Sequence, residues 1–110
     1  MPKIPVLQVA RKLERVFRPH DLVSVDHNYH VFTVAYHGAY AEHQHSADEF
    51  IYLLEGVLKV EMAGELVELR QGDGILIPAG VRHRPSASGR ALAMVFERRG
   101  LQAENGLNED

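Results

Sequence analysis

From Leu22 onward the chain is cut into short β-type runs by turn residues, and that rhythm leaves it few folds to choose from. The runs are Leu22–Val25, Tyr29–His37, Glu49–Leu54, Val57–Met62, Glu65–Arg70, Ile75–Ile77 and Ala91–Glu97. Between them stand His27-Asn28, Ser46-Ala47-Asp48, Glu55-Gly56, Ala63-Gly64, Gln71-Gly72-Asp73-Gly74 and the corner Pro78-Ala79-Gly80. Many short strands at regular spacing predict an all-β sandwich or a jelly-roll barrel. Pro78 lacks an amide donor and ends the Ile75–Ile77 run, so the next strand enters with His83 facing inward. By alternation Val81 and Pro85 face inward with it, and Arg82 and Arg84 face out.

A different period precedes the strands. Val6, Val9, Ala10, Leu13, Val16 and Phe17 recur at the spacing of one helical face, with Arg11, Lys12, Arg15 and Arg18 opposite. Pro5 suits a first turn and Pro19 stops the helix. The expected organisation is one domain over 1–110, with an amphipathic helix at 6–18, a barrel over 22–97 and a polar tail at 100–110. A length of 110 residues fits a single domain.

Composition removes several function classes. There is no cysteine, so a thiolate metal site, a disulfide framework and a cysteine nucleophile are all excluded. No apolar run approaches the ~18 residues of a membrane span, and the first residues do not read as a secretory signal. A cytoplasmic protein with no membrane partner is expected. The net charge of −3 argues against nucleic acid as a partner. Residues 1–20 nevertheless carry five basic side chains against Glu14 alone. Their apolar stripe favours a helix lying on the barrel, or across an interface, over a membrane handle. Open sheet edges and that stripe predict a homodimer.

Of seven histidines, three are informative. His20, His27 and His30 sit at a helix end, in a turn and at a strand start, where a surface or locally bonded ring is expected. His37 precedes a glycine at a strand end. His43 and His45 are two apart, so on a strand both imidazoles share a face. Glu49 opens the next strand on a face with Ile51 and Leu53, and the apolar run Phe50–Leu54 argues that this face is buried. A buried, unpartnered carboxylate is costly, and a divalent cation removes that cost.

The segment Gly38-x4-His43-x-His45-x3-Glu49-x6-Gly56 resembles the first conserved motif of the cupin superfamily, and Gly72-x5-Pro78-x-Gly80-x2-His83 resembles the second. The pattern departs from the common one in having four residues, not five, between Gly38 and His43, and Ala87 where asparagine is usual. The resemblance implies a double-stranded β-helix, the jelly-roll barrel of cupins. It also implies one divalent metal on His43, His45, Glu49 and His83.

Three imidazoles and a carboxylate suit Mn, Fe, Co, Ni or Zn and disfavour Ca or Mg. Four ligands on an octahedral ion leave two positions open for small molecules. The leading expectation is a metal-dependent enzyme on a small molecule, with dioxygenase- or isomerase-like chemistry and Glu49 as candidate catalytic base. The alternatives are a non-catalytic binding or sensing module and a protein–protein role with a vestigial pocket.

Overall fold

The structure is a computed structural model and describes residues 2–99. The tail expected at 100–110 lies outside the described residues. One helix, α1 (Val6–Arg11), precedes seven strands. They are β1 (His20–Val25), β2 (Tyr29–Ala39), β3 (Glu49–Glu55), β4 (Val57–Met62), β5 (Glu65–Arg70), β6 (Gly74–Ile77) and β7 (His83–Arg98). All strand pairs are antiparallel.

The long strand β7 organises the barrel. Its second half lies between β2 and β3, in a layer ordered β1-β2-β7-β3-β6. Its first half, from His83 to Ser86, pairs with β4, which in turn pairs with β5. One strand thus serves both layers, and the inward side chains of both meet in one core. Phe32, Val34, Ile51, Leu53, Leu58, Val60, Ile77 and Val95 fill it, each at most 5% exposed. This is the expected all-β jelly-roll barrel. The sequence run Ala91–Glu97 is only the second half of β7. Ser86, Ser88, Gly89 and Arg90 carry no apolar alternation, so the first half was visible only at His83 and Pro85.

The helix is shorter than the expected 6–18. It ends at Arg11, and the Leu13 amide bonds back only three residues, to Ala10. Residues 14–17 leave the helix for the open edge of β2 beyond β1, where Val16 bridges Ala35 and the Phe17 amide donates to the Ala35 carbonyl at 2.7 Å. Backbone bonds to a sheet edge win here over the weak intrinsic preference of a short helix. The Arg90 guanidinium donates to the Leu13 carbonyl and closes the helix end. The stripe is divided as a result: Ala10 packs on Ala35 and Leu92 of the barrel, whereas Val16 stays exposed.

Gly56, between β3 and β4, is the glycine the barrel depends on most. Its φ is +91°, and a Cβ there would stand 2.6 Å from the Arg90 carbonyl oxygen and 2.9 Å from the Ala91 Cα. Both obstacles are backbone and cannot swing aside. Gly56→Ala should therefore cost about 2–4 kcal/mol, from the left-handed backbone and the overlap together. Urea denaturation checks it; a loss below about 1 kcal/mol would show that β7 can yield at this point.

Candidate metal centre

The two motifs meet because the segment before β3 is tied to the start of β7. The His43 amide donates to the His83 carbonyl at 3.0 Å and the His83 amide to the His43 carbonyl at 2.8 Å. Farther on, the Gly80 amide donates to the His45 carbonyl at 2.9 Å. His43 and His45 lie outside the named strands, held by this isolated bridge, yet the chain is extended enough there for both rings to point inward. His43, His45, Glu49 and His83 are all buried, at 5% exposure or less. Ring centroids are 4.8 Å apart for His43 and His45, 4.3 Å for His43 and His83, and 5.3 Å for His45 and His83. Glu49 Oε1 stands 3.4 Å from His83 Nε2 and 3.6 Å from His45 Nε2. All four residues expected to converge do so.

The donor set fits a divalent ion. Nδ1 of His43 lies 2.8 Å from the Ala41 carbonyl oxygen, and Nδ1 of His83 lies 2.9 Å from that of Val81. A carbonyl only accepts, so each Nδ1 carries the hydrogen and each Nε2 keeps its lone pair. The same carbonyls fix both ring planes, as outer partners of metal-binding imidazoles do. The buried Nε2 of His83 makes no hydrogen bond of good geometry. One nitrogen from each of the three imidazoles falls in a group whose ligand atoms lie within 4.8 Å of one another.

Electrostatics point the same way. Burial pushes His43 below its ordinary value, and the neighbouring His83 and His45 add to this against the Ala41 carbonyl. Burial would raise Glu49, but contacts with His45 and His83 outweigh it and hold the carboxyl below its usual range. A His43 ring that burial disposes to stay neutral, beside an ionised Glu49, suits a cation.

A pH dependence follows. The folded value of His43 is depressed from 6.5, so its contribution to stability is full above pH 6.5 and is lost as the pH falls through the depressed value. Metal affinity should accordingly stay level through pH 6.5 and weaken only as the pH falls toward the depressed value of His43. Titration against a chelator of known pH behaviour tests this; affinity that rises on acidification contradicts it.

Three residues of the centre, His43, Glu49 and His83, line a cavity of about 40 Å³. Phe17, Tyr36, Tyr40, Phe32 and Pro85 line it with them. Phe17, at a φ of +62°, packs 5.0 Å from the Tyr40 ring, which meets the His43 ring edge-on at 5.2 Å. Among the described residues, no lysine or arginine lines this cavity.

His20, His27 and His37 are exposed, away from the buried cluster. His30 is different from the expected surface or locally bonded ring: it is fully buried between Asp21 and Glu97. Glu97, also unmarked in the sequence reading, is buried beside His45 and Glu49. Both had a signal. His30 continues the inward series Phe32, Val34, Tyr36 on β2, and Glu97 continues Ala91, Ala93, Val95 on β7.

Residues 30–97 match the family model described as a cupin domain. Among solved structures, a cupin-2 domain containing protein from Shewanella frigidimarina superposes with a TM-score of 0.83 at 25% identity, over 87% of this chain and 94% of that one. Hydroquinone 1,2-dioxygenase from Sphingomonas gives a TM-score of 0.71 at 18% identity, over 89% and 78%, and shares the fold. Among curated proteins, 3-hydroxyanthranilate 3,4-dioxygenase of Bos taurus is 39% identical over 66 residues, 56% of this chain and 23% of that one. The polyketide synthase CurC of Streptomyces cyaneus is 44% identical over 45 residues, 40% of this chain and 29% of that one. The chain thus spans less than a third of the length of these curated relatives.

Proposed function

Because this chain belongs to the cupin family, and because its cavity is lined by His43, Glu49 and His83, we propose that it is a metal-dependent enzyme acting on a small molecule. The observation that carries the proposal is the convergence of three inward imidazoles and one ionised carboxylate beside an aromatic-lined cavity. His43, His45, Glu49 and His83 hold one divalent ion, drawn from Mn, Fe, Co, Ni and Zn. Bound Fe(II) would supply dioxygen activation there, and any of these ions would polarise a substrate oxygen.

The chain's own residues then have distinct tasks. The Ala41 and Val81 carbonyls keep the His43 and His83 rings turned to the ion. Phe17, Tyr36 and Tyr40 exclude water and offer flat apolar surface to a substrate. Glu49 serves first as a ligand, because a carboxylate held below its usual range is a weak base at neutral pH.

Dioxygenase-like chemistry on a neutral ring is favoured over isomerisation of a sugar phosphate, since the lining has no cationic side chain to receive a phosphate. The 66-residue similarity to a 3-hydroxyanthranilate 3,4-dioxygenase supports the dioxygenase part of this choice. A panel of catechols, β-diketones, keto acids and sugar phosphates, with dioxygen uptake and product both recorded, tests it. Turnover of the neutral oxygenated compounds is expected. Ligand-dependent thermal stabilisation without turnover across the panel would make the chain a binder and overturn the enzyme reading.

The same proposal takes the chain as a cytoplasmic homodimer without nucleic-acid or membrane partners. No described helix is long and apolar enough to cross a membrane. An interface is offered by the outer face of the larger layer, not by the helix. Val23, Val31, Phe96, Phe50 and Leu76 stand side by side in register across β1, β2, β7, β3 and β6. Four of them are 37–53% exposed, and Tyr29 stacks on Phe96 at 5.7 Å. An apolar row of this kind marks an association surface. Leu76→Glu should convert a dimer into a monomer in sedimentation, whereas a wild-type monomer at high micromolar concentration contradicts the assignment.

A further inference from the structure

A line of buried charge runs from the surface to the metal centre, and the chemistry above makes no use of it. Asp21, half exposed on β1, presents Oδ1 at 3.1 Å from Nδ1 of His30. The other nitrogen of that ring, Nε2, lies 3.3 Å from Oε1 of Glu97. The side chains of His30 and Glu97 are both completely buried. Glu97 stands opposite His30 in the β2–β7 register and opposite Glu49 in the β3–β7 register. Ligand atoms of His45, Glu49 and Glu97 lie within 4.8 Å of one another.

Keeping two carboxylates next to each other inside a barrel is expensive in desolvation and in repulsion, and needs compensating partners. Both ring nitrogens of His30 face carboxylates, so His30 is occupied in holding Glu97 and is not itself a candidate ligand. His43 and His83 have backbone carbonyls behind their rings. Next to His45, besides Glu49 and the other two rings, stands the carboxylate of Glu97.

We infer that Glu97, clamped by His30 and through it by Asp21, is the positioning residue for the His45–Glu49 side of the metal centre. It sets the orientation of the His45 ring and adds a negative charge close to the ion without being one of the four ligands. The inference rests on the proposed metal site and deepens it. Outer partners of this kind commonly contribute about ten- to a hundredfold in metal affinity.

The test uses the full chain, with Co(II) as probe, and the variants Glu97→Gln and His30→Gln beside Glu61→Gln as a surface control. Affinity is read by chelator competition, and the hyperfine-shifted ring resonances of the bound imidazoles by NMR. Glu97→Gln should weaken Co(II) binding about ten- to a hundredfold and shift the His45 resonances, with those of His43 and His83 nearly in place. His30→Gln should act in the same direction with a smaller change, and so stands in if Glu97→Gln fails to fold. Glu61→Gln should bind as the wild type does. If the folded variants keep wild-type affinity and His45 resonances while His83→Ala loses the metal, the inference falls and the metal site stands. If the wild type binds no Co(II), both fall.

Discussion

Replacing His83 by alanine should yield a folded protein that has lost most of its metal. The fold does not lean on this side chain: the bonds that tie the His43 segment to β7 are made by the His83 backbone, and the apolar core is built from other residues. The metal should depend on it. Of the four proposed ligands His83 alone comes from the second motif, so without it the site is left with neighbours from one stretch of chain, His43, His45 and Glu49. It also faces Glu49 at 3.4 Å, so its loss leaves a buried carboxylate with one imidazole fewer beside it. Outer partners of a metal site are worth about ten- to a hundredfold in affinity, and a direct ligand should exceed that. Elemental analysis after dialysis against a weak chelator, with circular dichroism on the same sample, reads both halves of the expectation. His45→Ala should behave alike. Unchanged metal stoichiometry in both variants would remove the site assignment.

Exchanging the metal should change activity more than any surface substitution. A centre of three imidazoles and a carboxylate admits iron but binds Ni, Cu or Zn at least as tightly, following the usual order of affinities. Protein from ordinary expression should therefore carry mixed or substoichiometric metal. Reconstituted anaerobically with Fe(II) and then given dioxygen and a substrate, it should turn over and consume oxygen. The zinc form should be inert, because zinc has no redox chemistry. Equal activity with Fe, Mn, Co and Zn and no oxygen uptake would replace the oxygenase reading with an isomerase or decarboxylase. Thermal stabilisation by ligand with every metal, and turnover with none, would leave a binding module.

The convergence of His43, His45 and Glu49 was legible in the sequence because its spacing is local, whereas His83 was added by the resemblance of the second motif. One residue between like-facing histidines, a short turn, and a carboxylate at the head of an apolar strand state a convergence without any knowledge of the third dimension. The limits of β4 and β5, 57–62 and 65–70, were read correctly because turn residues bound them at Glu55-Gly56, Ala63-Gly64 and Gln71-Gly72.

What escaped was decided by contacts distant in sequence. The helical period continues through Val16 and Phe17, yet those residues lie against β2, because its edge beside Ala35 offers backbone partners that no local pattern announces. Phe17 thereby becomes part of the cavity wall. His30 and Glu97 were passed over because each is polar at the end of an apolar alternating series. Alternation alone points both inward, but that the two face each other across one register position shows only when β2 and β7 are placed side by side.

The most direct measurement is an anomalous difference map from a crystal of protein purified without chelator and soaked in Mn(II) or Co(II). A single strong peak is expected among His43 Nε2, His83 Nε2, the His45 ring and the Glu49 carboxylate, at about 2.0–2.3 Å from the donor atoms. A crystal that takes up the ion elsewhere on the barrel, with these four side chains unmoved and no peak among them, would contradict this expectation.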